Sequence, residues 1–98
     1  MKLTLAQTET LCALAQLSRT KFHDVPSVVS SRFQGRLGGH HGHQGHFEKH
    51  WGLMINRTKE KLCELKEIGL ARSGKCEKGT DPGWRITVKG AKLAKELA

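Results

Sequence analysis

The sequence predicts a mainly α fold with one small β-hairpin, an α+β domain of three core helices, a hairpin and a closing helix. Two observations predict it. Trp51, Met54 or Ile55, Thr58, Leu62, Leu65 and Ile68 repeat every 3.6 residues, the mark of an amphipathic helix. Two short stretches follow, Leu70–Ala71–Arg72–Ser73 and Trp84–Arg85–Ile86–Thr87, and the second alternates apolar and polar residues as a strand does.

The first helix is read from Leu5 to Leu17. Thr4 and Gln7 have capping-box spacing, and Gln7, Thr10, Leu11, Leu14 and Leu17 share a face. Asp24 caps a short second helix, whose first turn accepts Pro26 because an N–H there has no helical partner. Val28, Val29 and Phe33 are its candidate core residues. Residues 34–46 break the pattern with a flexible Gly/His-rich insertion, because glycine loses the most backbone entropy on ordering. The third helix begins near Phe47 or near Asn56, and Gly69 ends it in the left-handed conformation. Asp81–Pro82–Gly83–Trp84 fits a type II turn between the strands. Thr87 caps the last helix. Gly90, Leu93, Ala94 and Leu97 form one face of it, and Lys89, Lys92, Lys95 and Glu96 the wet one.

The 98 residues suit one domain, 1–98, with a modest core. No apolar run is long enough for a bilayer, and Met1–Lys2–Leu3–Thr4 lacks the features of a secretory signal, so a cytoplasmic protein without membrane contact is expected. Seventeen Lys and Arg against nine Asp and Glu give a net charge of +8, which favours a polyanionic partner. Cys12, Cys63 and Cys76 are an odd number at wide spacing, which argues against a disulfide framework. Cys12 and Cys63 read as small apolar residues on helix faces, and Cys76 as a free thiol in an exposed loop. Trp51 and Trp84 read as core.

With these residues in view, a resemblance can be stated. Leu3–Thr4–x–x–Gln7 with Leu11–x–x–Leu14–Ala15 resembles the first helix of bacterial and phage winged helix-turn-helix regulators. Leu62–Cys63–Glu64–Leu65–Lys66–Glu67–Ile68–Gly69–Leu70–Ala71–Arg72, then Trp84–Arg85–Ile86–Thr87–Val88–Lys89–Gly90, is similar to the recognition-helix end, wing and closing helix of that superfamily. The ending is also similar to the N-terminal DNA-binding domains of modification-dependent restriction endonucleases. The Gly/His segment departs from the pattern, because the superfamily has a compact second helix and turn there.

The resemblance implies double-stranded DNA as partner, with helix three in the major groove and the wing on the backbone. Carried onto this chain, Asn56, Arg57, Lys59 and Lys61 face bases and phosphates from the helix. Arg72, Lys75, Lys78 and Arg85 neutralise phosphates from the wing. Asn suits adenine and Arg guanine, each pairing bidentately. Glu60 and Glu64 offer helical ion pairs to Arg57 and Lys61 instead. The resulting expectation is a small transcriptional regulator or DNA-targeting module, with a homodimer through the first and last helices as a further expectation.

Two alternatives come from other classes. One is a protein-binding module with the same fold that docks on a nucleic-acid enzyme, such as a mobile-element inhibitor of a host defence nuclease. The other is a metal-responsive regulator. His40, His41, His43, His46 and His50 are five of six histidines within eleven residues, and imidazole takes zinc or nickel. Their spacing matches no structural zinc pattern, so no cofactor is expected. The chain carries no P-loop, no dinucleotide fingerprint, no G-x-S-x-G and no H-E-x-x-H, and an enzyme is not expected.

Overall fold

The structure, a computed structural model, describes residues 2–37, 51–76 and 82–97, and the side chains of all of these except 33–37 and 51–52. Its elements are α1 (Leu5–Ala15), α2 (Val25–Leu37), α3 (Trp51–Glu67), β1 (Ala71–Gly74), β2 (Gly83–Ile86) and α4 (Val88–Leu97). Helices dominate, and one antiparallel hairpin completes an α+β fold.

Helix α1 sits at the centre and packs against α2, α3, α4 and β2. It starts where the capping box is complete. The Gln7 N–H donates to Thr4 Oγ1 at 3.2 Å, and the Thr4 N–H donates to Gln7 Oε1 at 2.9 Å. Thr10, Leu11, Ala13 and Leu14 are buried on its inner side. Thr10 belongs there because its hydroxyl donates to the Ala6 carbonyl at 2.8 Å, so its own donor is paired.

Helix α2 is capped as its sequence predicts. Asp24 Oδ1 accepts from the Ser27 N–H at 3.0 Å, and Val28 and Val29 are fully buried. The helix is longer than its sequence suggests. It runs through Gln34, Gly35 and Arg36 to Leu37, so the glycine-rich composition does not begin a loop at residue 34. Extending a nucleated helix costs far less than starting one, and a single Gly costs only about 1 kcal/mol relative to Ala. The rest of the expected insertion, with its histidines, lies outside the described residues, as does the Phe33 side chain.

Helix α3 buries Thr58, Leu62 and Leu65, with Met54, Ile55 and Ile68 packed at the margin of the core. It already includes Trp51, so the later start near Asn56 does not hold. Its end is a Schellman motif. Gly69 has φ of 82°, its N–H donates to the Lys66 carbonyl, and the Leu70 N–H donates to the Leu65 carbonyl at 2.9 Å. Leu70 thereby folds back and is fully buried.

The hairpin register pairs Ala71 with Ile86, Arg72 with Arg85, Ser73 with Trp84 and Gly74 with Gly83. The inner face carries Ala71, Ile86 and Trp84, all buried. On the free edge of β2, His23 adds a one-residue bridge: its N–H donates to the Trp84 carbonyl, and the Trp84 N–H donates back, both at 2.8 Å.

Gly83 overturns the expected type II turn. It sits inside β2, and among the described residues only Gly69 has positive φ. Glycine is required at 83 for space. A Cβ there would stand 2.8 Å from both the Cys76 Cβ and the Phe22 Cβ. The cysteines are also corrected: Cys63 is exposed on α3, whereas Cys76 is buried, with its thiol donating to the Phe22 carbonyl at 3.5 Å.

Helix α4 is capped by Thr87, whose hydroxyl oxygen accepts from the Gly90 N–H at 3.0 Å and whose hydroxyl donates to the Gly69 carbonyl at 2.8 Å. Gly90 and Ala94 are buried, and Lys89, Lys92 and Lys95 are exposed. Leu97 is 45% exposed and so lies at the edge of the packed face. Among the described residues no helix is long and apolar enough to cross a membrane.

Gly90 gives a stability prediction with a sign. Helix propensity favours Gly90→Ala by about 1 kcal/mol. A Cβ at this position would instead overlap the Leu70 carbonyl oxygen and stand 2.8 Å from Ile86 Cγ1. The substitution is expected to destabilise by about 1–3 kcal/mol in urea unfolding, and a stabilised variant would contradict this packing.

Candidate nucleic-acid interface

Two ties position α3. The first joins the three core helices. Arg32 of α2 donates from Nε to Glu9 of α1 and from a terminal nitrogen to the buried Thr58 hydroxyl of α3, each at 3.4 Å. The second joins the start of α1 to α3. The Gln7 amide nitrogen donates to Glu64 at 2.8 Å while its oxygen serves the capping box. Lys61 completes this group at 3.3 Å from both Glu64 oxygens. The hydrogen bond from Gln7, with Lys61 beside it, holds the Glu64 carboxyl below the usual glutamate range.

These ties decide which α3 side chains face water. Asn56, Arg57 and Lys59 are exposed, and Leu53 is 46% exposed on the turn before them. Of the expected helical ion pairs, the structure contains Lys61–Glu64. Arg57 makes none among the described residues. Glu60, Lys66 and Glu67 are exposed further along, so the helix carries only cations before residue 60 and mixed charge after it.

On the hairpin, Arg72 is exposed and Arg85 half-buried, and they stand directly opposite each other. Neither has a carboxylate partner among the described residues. Like charges in this arrangement repel, so the pair is a local cost that an anion would relieve. Lys75 is exposed just beyond β1, and Lys78 lies outside the described residues.

The structure therefore places Asn56, Arg57, Lys59 and Lys61 together on α3, and Arg72, Arg85 and Lys75 together on the hairpin. Sequence reasoning missed Phe22. It packs on the outer hairpin face, and the Arg85 guanidinium carbon lies 4.9 Å from the centroid of its ring. Its only sequence signal is the short extended run Lys21–Phe22–His23 before the Asp24 cap, which is too brief to read as a strand.

His40, His41, His43, His46 and His50 lie outside the described residues. Among the described residues, no group of three or more His, Cys, Asp or Glu is gathered as a metal would need. Comparison with protein-family models, with curated proteins and with solved structures returns no match to this chain.

The Gln7–Glu64 link gives a titration prediction. A carboxylate whose pKa is depressed on folding adds stability above its unfolded pKa, and that contribution is lost as pH falls through the folded value. Carboxyl-resolved NMR is expected to find Glu64 titrating below an ordinary glutamate, and Gln7→Ala to move it upward. An unmoved Glu64 in that variant would assign the shift elsewhere.

Proposed function

We propose that this protein binds double-stranded DNA as a winged helix-turn-helix domain, acting as a transcriptional regulator or DNA-targeting module. The supporting topology is helix, one-residue bridge at His23, helix, helix, hairpin, helix, with His23 on the free edge of β2. In this reading the first half of α3 enters the major groove with Asn56 and Arg57 toward base edges, and Lys59 lies toward the backbone. Arg72, Arg85 and Lys75 take phosphates from the hairpin.

The observation that carries the reading is the Arg72–Arg85 cross-strand pair, which lacks a carboxylate partner among the described residues of a chain with a net charge of +8. A surface that concentrates uncompensated guanidinium groups on a rigid ribbon suits a polyanion with regularly spaced phosphates.

Fluorescence anisotropy with a labelled duplex, repeated at rising salt, tests this. Affinity is expected to fall linearly on a log–log plot, with Arg72→Ala flattening the slope by about one phosphate contact. Arg57→Ala is expected to weaken binding to a selected site by about 1–3 kcal/mol and to relax its sequence preference. No binding at low salt, or slopes and affinities unchanged by both substitutions, would reject the proposal.

A further inference from the structure

The Arg72–Arg85 pair has a third neighbour on the same face. His23 pairs with Trp84, so the antiparallel register sets Phe22 beside Arg85, and Arg72 lies on the other side. The ring occupies space that Gly74 leaves, and its Cβ occupies space that Gly83 leaves. A Cβ on Gly74 would stand 2.5–2.8 Å from three ring carbons, and one on Gly83 would stand 2.8 Å from the Phe22 Cβ. The backbone just after it is held by the His23–Trp84 pair of hydrogen bonds, and the Phe22 carbonyl accepts from Cys76. Phe22 is thus fixed by its backbone, by Gly74 beneath its ring and by Gly83 beneath its Cβ. At 4.9 Å from the centroid, the Arg85 guanidinium is within cation–π range. A guanidinium in such contact keeps its planar fork of N–H donors for an acceptor, and less freedom is left to lose when it binds one.

We infer that Phe22 is a positioning residue of the DNA interface: its ring holds Arg85 beside Arg72, so that the two guanidiniums together grip the phosphate backbone of duplex DNA. The inference rests on the DNA-binding reading and adds to it the connector between α1 and α2, which neither α3 nor the hairpin sequence points to.

A double-mutant cycle on the full chain tests it, with anisotropy on one labelled duplex at fixed salt and thermal melting as a check of folding. Phe22→Leu is expected to weaken binding about threefold to tenfold, and Phe22→Tyr to restore it. In the Arg85→Gln background, Phe22→Leu is expected to change nothing further, because the residue acts through Arg85. Arg85→Lys leaves the Phe22 packing intact and keeps the charge but loses the planar fork, and is expected to weaken binding at least threefold. A Phe22→Leu loss that persists without Arg85, or an Arg85→Lys protein that binds like the parent, overturns the inference. Failure of the parent protein to bind any duplex at low salt overturns the DNA reading itself and is a distinct result.

Discussion

The hairpin is joined to the end of α3 by a hydrogen-bonded corner, and the proposed interface depends on it. Gly69 turns the chain out of the helix at positive φ, and the Leu70 N–H returns to the Leu65 carbonyl. From the other side, Thr87 donates its N–H to the Leu70 carbonyl at 3.2 Å and its hydroxyl to the Gly69 carbonyl at 2.8 Å. The same hydroxyl oxygen caps α4 through Gly90, which approaches the Leu70 carbonyl more closely than any side chain permits. The end of α3, the base of the hairpin and the start of α4 are therefore one hydrogen-bonded unit. Together with the burial of Ala71, Trp84 and Ile86 in the common core, it sets where Arg72 and Arg85 lie relative to Asn56 and Arg57.

Charge is distributed unevenly over this frame. Internal acids are spent on structure: Glu9 meets Arg32 within the three-helix core, and Glu64 meets Gln7 and Lys61 across α1 and α3. Among the exposed cations, Arg57 and Lys59 lie on α3, Arg72 and Lys75 on the hairpin, and Lys89, Lys92 and Lys95 on α4, with Arg85 set opposite Arg72. Their local density matters more than the total charge, because short-range pairs with phosphate outweigh a diffuse field at physiological salt.

Much of the fold was legible in the sequence. Thr4, Asp24, Gly69 and Thr87 each mark a helix boundary through a local hydrogen bond or a backbone conformation, and local rules suffice for these. The strand around Trp84–Ile86 followed from apolar alternation. What escaped was set by distant contacts. Gly83 reads as a turn glycine until Phe22 and Cys76 are seen pressing on it. Cys76 reads as exposed because loops usually are, but it is buried with its thiol on the Phe22 carbonyl. The Arg32 bridge to Glu9 and Thr58 joins three helices, and no spacing within one helix reveals it. The basic residues of the candidate interface were legible as types. The partner that holds Arg85, Phe22, was not, because one bridge residue leaves no periodicity.

The most direct test of this account is an amide and side-chain NMR titration of the full chain with a short duplex. The account predicts that shift changes concentrate on Asn56, Arg57, Arg72 and Arg85 and spread to Phe22, with the exposed face of α4 left unmoved. Changes confined to α1 and α4, or none at all under low salt, would contradict it.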